Sequence, residues 1–336
     1  MTDMRNKPKQ LRVRVLVLGG GPDSEREVSI ESANAIHQGC LDAGLDSTLL
    51  IIDRPTIDEV RAWDADVVFP ALHGRFGEGG ALQSMLEAEK KVFVGCRAKT
   101  ARFAMDKLAT KLIASRCGVL TPAACVFDPK DAQSPEHAIC PFDLPVVIKP
   151  IADGSSVGLH ICKTRQSWTD AVKAVGKDLS SNPDRVYMIE RMVKGRELTV
   201  SVLGQSDGSL QALPIVEIAP ADGVYDFNAK YARDDTVYTV NPDLADDMVS
   251  AIQNDALRVC IALGVDHLGR VDFLLGDDDL WAMLEVNTMP GFTATSLLPK
   301  AAADTDMPMH ELCAHLVRCA IGSKETTKSP ASTPAH

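Results

Sequence analysis

The sequence predicts an α/β protein, with an open α/β sheet at its N-terminal end and mixed α+β lobes after it. Three observations carry that expectation. Short apolar runs alternate with helical patterns through the first ~100 residues. The first of these runs ends in consecutive glycines, Gly19-Gly20-Gly21. Near the other end, two strand patterns flank a polar turn, Gly276-Asp-Asp-Asp279.

Taken in order, Arg12–Leu18 reads as a buried strand that ends in a glycine turn. A helix is expected over Val28–Gly44, a second strand over Thr48–Ile52 and a third over Asp66–Phe69. Function in such sheets gathers at the C-terminal ends of the strands, where the Gly19–Glu27 turn and the His73–Gly80 loop fall. Ala98–Ser115 reads as one helix carrying Lys107. A strand over Leu144–Lys149 runs into a glycine-rich loop, Asp153-Gly-Ser-Ser-Val-Gly158. Val186–Glu190 and Glu197–Leu203 are further strands, and Pro308–Ile321 is a last amphipathic helix. Ser323–His336, rich in Ser, Thr and Pro, is expected to be disordered.

The chain has 336 residues, which suits two or three fused lobes better than one small core. Its 45% apolar and 24% charged residues are ordinary for a globular protein. The net charge of −11 argues against a nucleic-acid partner. Val13–Leu18 is too short for a secretory signal, and no later stretch approaches the ~20 apolar residues of a membrane span. The nine cysteines are scattered without a CxxC pair, which suggests reduced thiols in a cytoplasm.

The strands around Gly276–Asp279 suggest an antiparallel hairpin. With period-two alternation, Arg270 and Asp272 share one face, and Glu285 and Asn287 share a face of the partner strand. A four-residue turn would set Arg270 opposite Glu285 and Asp272 diagonal to it. Three oxygen donors and one guanidinium would then converge, a hard set suited to Mg²⁺ beside substrate phosphates. The competing reading is a surface hairpin with its charges in water. Val271, Phe273, Leu274, Leu284 and Val286 weigh against that, because polar groups alternating within such strands usually face a cavity.

Phosphate handling has candidates as well. The Asp153–Gly158 loop offers backbone N–H groups and hydroxyls, although Gly and Ser also make plain turns. Lys149 ends the strand before this loop, and Lys107 is a second cation. No GxxxxGK[ST] and no kinase signature is present. Glu190–Glu197, acidic at both ends with an apolar centre, could contact adenine and ribose or could simply join two strands.

In this order, the motifs resemble the D-alanine–D-alanine ligases of the ATP-grasp superfamily. The resemblance runs from about Val13 to about Ala320. It is carried by Gly20-Gly-Pro-Asp-Ser-Glu-Arg-Glu-Val-Ser29, Ala71-Leu-His-Gly-Arg-Phe-Gly-Glu-Gly-Gly80 and Met105-Asp-Lys107. Val147-Ile-Lys-Pro150 with Gly154-Ser-Ser-Val-Gly158, and Ala229-Lys-Tyr231, continue it. Gly269-Arg-Val-Asp-Phe273 and Leu284-Glu-Val-Asn-Thr-Met-Pro-Gly291 with Ser296-Leu297 complete it.

The resemblance implies an ATP-grasp fold with a Rossmann-like N-terminal lobe. Its lobes would span 11–104, 105–200 and 201–322, with a tail over 323–336. It implies ATP and two Mg²⁺ ions, or Mn²⁺ in their place, held by Asp272, Glu285 and Asn287. Lys107 and Lys149 would serve the phosphates, Lys230 would also bind the nucleotide, and Glu190, Arg191, Val193 and Glu197 would take the adenine and ribose. Glu25 would receive the first D-alanine's ammonium and form a hydrogen-bonded trio with Ser155 and Tyr231. His73 would lie near that substrate. Arg270 and the Gly291 backbone would hold the tetrahedral oxyanion. Ser296 and Leu297 would take the second substrate's carboxylate, and the loop carrying Lys230 and Tyr231 would close over the site. The implied activity is synthesis of D-alanyl-D-alanine for peptidoglycan, by a cytoplasmic homodimer.

Two departures stand out. Gly79 replaces the family's usual Asp, so the first-substrate loop is expected to differ in shape. Val224 stands where an aromatic is common. Tyr231, commonly Phe in relatives that use D-lactate, favours an amine as second substrate. A ligase using D-serine or D-lactate is the nearest alternative. A nucleotide-binding protein that has lost catalysis would show damage to the metal or oxyanion residues, and all four are intact.

Overall fold

The computed structural model describes residues 12–131, 134–154, 157–220 and 235–326. The first sheet is three parallel strands, β1 (Arg14–Gly20), β2 (Asp46–Ile52) and β3 (Val67–Pro70), in the order β2-β1-β3. Helices α1 (Arg26–Asp42) and α2 (Ile57–Ala62) connect them. A central parallel strand must be covered on both faces, and β1 shows how. Val15 and Val17 enter one core with Ala33 and Ile36, while Leu16 and Leu18 enter another with Leu82 and Leu86. Both predicted loops leave the C-terminal ends of these strands.

Short helices α3 (Gly74–Glu78) and α4 (Ala81–Ala88) follow β3. The single helix expected over Ala98–Ser115 is instead two, α5 (Ala98–Met105) and α6 (Lys107–Arg116). Asp106 breaks it. Its backbone is extended, and its side chain accepts hydrogen bonds from the Leu108 and Ala109 N–H groups, both at 2.9 Å. That is an N-cap, and it puts Lys107 at the first position of a new helix.

The second sheet has four strands in the order β4-β7-β5-β6: β4 (Ala124–Phe127), β5 (Val146–Pro150), β6 (His160–Cys162) and β7 (Tyr187–Arg191). Helix α7 (Arg165–Ser181) covers it through the fully buried Trp168, whose indole N–H donates to Ala138 O at 3.1 Å.

The third sheet has five antiparallel strands in the order β10-β9-β8-β11-β12. They are β8 (Arg196–Gly204), β9 (Leu210–Ala219), β10 (Val237–Val240), β11 (Leu268–Leu275) and β12 (Trp281–Asn287). Helix α8 (Asp246–Leu263) covers one face. Helices α9 (Leu297–Ala303) and α10 (Met309–Thr326) share the other core with α1 and the first sheet, where Phe69 and Phe292 meet edge to face at 5.7 Å. Strand β8 crosses residue 200, where the sequence reading ends the middle lobe, and α10 continues past Ser323, where that reading starts the tail.

The hairpin forms, but its register differs from the one expected. Arg270 lies opposite Asn287, and Asp272 opposite Glu285. The loop is one residue longer than expected, since Leu275 pairs with Trp281. That shift alone would turn one strand's polar face away. A bulge at Asp272/Phe273 leaves Leu284 as an extra residue in β12 and restores the parity. Asp272 and Glu285 therefore remain on one face, and are direct neighbours.

Candidate active site

A cleft of ≈ 400 Å³ opens between the four-stranded and five-stranded sheets. Its walls are apolar, with Val147, Leu159 and Ile161 on one side and Ile218, Leu274 and Leu284 on the other. Arg191, Val193 and Glu197 line it, on or beside the segment where the chain passes from β7 to β8. That segment joins two different sheets, so it forms a wall of the cleft. A flat apolar slot rimmed by polar groups suits a nucleotide base.

Cations collect at one end. Lys149 lies 2.5 Å from Glu190, and Lys111 lies 2.8 Å from the other Glu190 oxygen. All three side chains are buried. Burial alone would raise the Glu190 carboxyl, but Lys149 and Lys111 outweigh it and hold it below the usual range. Glu190 borders the cleft with its charge already matched. Lys107 donates to Asp153 O at 2.7 Å and pairs with Glu285 at 3.3 Å. Three buried lysines thus stand near one end of the cleft.

The acidic set lies beside them. Arg270 Nε–H donates to Asp272 Oδ1 at 2.9 Å, and Nη2–H to Oδ2 at 2.8 Å. Thr199 Oγ1–H donates to Asp272 Oδ1 at 2.6 Å from the neighbouring strand. Asn287 Oδ1 accepts the Met289 N–H at 2.9 Å and keeps a second lone pair. Among the described residues, no three His, Cys, Asp or Glu side chains form a metal cluster on their own. Two carboxylates and an amide on adjacent strands still fit Mg²⁺, which takes one or two carboxylates and completes its shell from phosphates and water.

A second, smaller cavity of ≈ 90 Å³ adjoins the first, and Gly154 and Glu285 border both. It brings together Glu25, His73, Arg270, Gly291, Ser296 and Leu297, predicted from four separate stretches of chain. His73 comes within 3.3 Å of Ser32 Oγ, and that hydroxyl also receives the Phe292 N–H at 3.2 Å. Burial pulls the His73 imidazole below its ordinary value. Ser296 Oγ accepts from Thr293 N–H at 2.9 Å.

Gly79 allows the shape of the loop that follows β3. A Cβ there would stand 2.3 Å from Arg75 O, so the Asp usual in the family would force this loop to shift. Ser155, Lys230, Tyr231 and Val224 lie outside the described residues.

Four residues enter the site that the sequence reading did not single out. Glu78 borders the smaller cavity, accepts the Gly74 N–H at 2.9 Å, and is pushed up to about 8 by burial, with Glu25 adding to the shift. Tyr238 lines the same cavity from β10. Lys111 could have been found, because it lies four residues after Lys107 on the same helix face. Thr199 carried no local signal.

Two sheets gripping a nucleotide-sized cleft, with cations and carboxylates where it meets a small polar pocket, define an ATP-dependent ligase of the ATP-grasp fold. Comparison with known proteins narrows this. Residues 117–318 match the family model described as "D-ala D-ala ligase C-terminus". The D-alanine–D-alanine ligase of Desulforamulus reducens is 33% identical over 318 residues, covering 93% of this chain and 99% of that protein. The one of Bordetella petrii is 38% identical over 305 residues, covering 90% and 91%. The solved D-alanine-D-alanine ligase from Coxiella burnetii superposes with a TM-score of 0.77 at 25% identity, covering 94% of this chain and 96% of that one. The VanG D-Ala:D-Ser ligase from Enterococcus faecalis shares the fold, with a TM-score of 0.75 at 23% identity over 92% and 99% of the two chains. The chain belongs to the D-alanine–D-alanine ligase family.

Proposed function

We propose that this chain joins two D-alanine molecules into D-alanyl-D-alanine, converting ATP to ADP and phosphate, as a step toward peptidoglycan. The observation that carries it is the junction of the two cavities at Gly154 and Glu285. It would bring the phosphate end of a bound nucleotide against a pocket built for a small zwitterion. A carboxylate is a poor electrophile, and taking the γ-phosphoryl group turns it into an acyl phosphate. The second amine then attacks the acyl carbon, and phosphate leaves.

Each residue has a part in this reading. Lys107 and Lys149 hold the phosphates, and Lys230 also serves the nucleotide. Asp272, Glu285 and Asn287 hold two Mg²⁺, or Mn²⁺, which would neutralise charge on the phosphate oxygens when bound. Glu25, with Ser155 and Tyr231, orients the first D-alanine, and His73 packs beside it. Ser296 and Leu297 take the second carboxylate. Arg270 and the Gly291 N–H stabilise the oxyanion. The lobe division at 104 and 200 and a homodimeric assembly belong to the same proposal. A cytoplasmic location agrees with nine free cysteines and with no helix among the described residues long and apolar enough to cross a membrane.

A product assay tests it. ATP with D-alanine should release phosphate and yield dipeptide. ATP with D-alanine plus D-serine or D-lactate should yield little mixed product: Tyr231 favours an amine over the D-lactate hydroxyl, and the relatives at 33% and 38% identity are D-alanine ligases. Absence of dipeptide at saturating substrate overturns the proposal. Arg270→Ala should abolish turnover while leaving nucleotide binding in place.

A further inference from the structure

Asp272 needs a hand that its own strand cannot supply. It is nearly fully buried, and among the described residues its side chain has two partners, Arg270 and Thr199. Thr199 stands directly across from Asp272, β8 against β11, and is itself fully buried. Its chain neighbours Leu198 and Val200 are core residues, so strand alternation turns Thr199 to the opposite face, toward Asp272. A buried hydroxyl in such a strand costs free energy unless it is bonded. This one donates its single proton to Asp272 Oδ1 at 2.6 Å; the alternative acceptor, Val271 O, is at 3.4 Å. The charged, closer acceptor wins.

Counting lone pairs separates the two carboxylate oxygens. Each offers about two acceptor sites. Oδ1 receives both Thr199 and Arg270 Nε and is full. Oδ2 receives Arg270 Nη2 alone and keeps one site. We propose that Thr199 is a positioning residue that locks the Asp272 carboxylate so that it takes a divalent cation through Oδ2 alone. The inference rests on the metal role proposed above for Asp272. Thr199 touches neither substrate nor ion and acts through Asp272. It also shares its strand face with Glu197, two residues away on the cleft wall, so β8 would tie the nucleotide's polar rim to the metal end.

The test uses the full chain saturated with a non-hydrolysable ATP analogue, with Mn²⁺ binding read by paramagnetic resonance. Thr199→Val should weaken Mn²⁺ binding roughly tenfold, the usual effect of removing a ligand's supporting hydrogen bond. Thr199→Ser, which keeps the hydroxyl, should stay within about threefold of the parent by the same reasoning. Thermal unfolding of the two variants should match, which separates orientation from packing. If Thr199→Val binds Mn²⁺ like the parent while Asp272→Asn does not, the positioning role is wrong and the metal site stands. If Asp272→Asn also binds like the parent, the metal reading itself falls. Should the Val variant not fold, infrared difference spectra of the parent against Asp272→Asn decide the point. A wide carboxylate stretch splitting on Mg²⁺ addition supports binding through one oxygen, and a narrow, bidentate splitting overturns it.

Discussion

Lys111→Met is the most informative single perturbation of the cation cluster. Lys111, Glu190 and Lys149 form a buried group of three charges with a net charge of one positive unit. Breaking a buried ion pair typically costs about 3–5 kcal/mol. Here Glu190 keeps Lys149 at 2.5 Å, so the low end applies, and a loss of about 3 kcal/mol is expected. That corresponds to a fall in Tm of about 5 °C for a unit of this size. The substitution also acts on the site. Among the described residues Lys149 is then the one lysine left pairing with Glu190, and the local charge facing the phosphates falls by one. At an effective dielectric of ~20 and a separation of roughly 10 Å, one charge is worth about 1–2 kcal/mol. The KM for ATP should therefore rise roughly 5- to 30-fold, with KM for D-alanine little changed. Steady-state kinetics and thermal unfolding on one preparation check both parts. An unchanged Tm with an unchanged KM for ATP would show that Lys111 is solvated and that the cluster does not act as a unit.

Three further outcomes are expected. Gly291→Ala places a Cβ 2.6 Å from Ser296 Oγ; the hydroxyl must turn away, and KM for the second D-alanine should rise about tenfold or more while KM for ATP holds. A uniform loss of kcat without that split would refute the placement. Glu78 holds its proton up to about pH 8 in the folded chain, against 4.5 ordinarily. The folded state then binds more protons than the unfolded state across that window, so stability falls as pH rises through it. Glu78→Gln should flatten the decline, with a gain near pH 8 of a few kcal/mol, on the order of the shift; denaturation profiles that stay parallel in pH would exclude this. His267 is pulled down to about 4, first by burial and then by Arg97. Its Nδ1 accepts the Gly95 N–H at 3.1 Å, which requires the neutral ring. Its contribution is present above pH 6.5 and lost as pH falls toward 4, about 3 kcal/mol in all. His267→Asn should lose less stability than the parent between pH 7 and pH 4.5, and an equal loss would assign the acid sensitivity elsewhere.

The chain order of short motifs determined much of this protein. Strand–helix alternation placed the N-terminal sheet, and the two loops that border the smaller cavity, to within a few residues. Period-two spacing put Arg270 with Asp272 and Glu285 with Asn287, because alternation is a property of one strand. Resemblance across the motifs named the family, and every described residue that it proposed for the site borders one of the two cavities or its cation cluster. These signals are local, so they can be read without knowing what packs where.

Pairing between strands was decided only in three dimensions. A loop one residue longer than expected and a compensating bulge made Asp272 the neighbour of Glu285. No periodicity announces two shifts that cancel. The break at Asp106 was readable in principle, since Asp is a strong N-cap, but a long helical pattern masked it. Glu190 read as a carboxylate for adenine and ribose, and its pairing with two buried lysines was not readable from the sequence. Thr199 shows the limit most clearly. Nothing in Leu198-Thr199-Val200 marks the hydroxyl as different from any strand threonine. Its importance arises because antiparallel pairing sets it against a carboxylate 73 residues away. A sequence determines which groups a strand presents and on which face, but register, burial and charge matching depend on what the rest of the chain brings to that face.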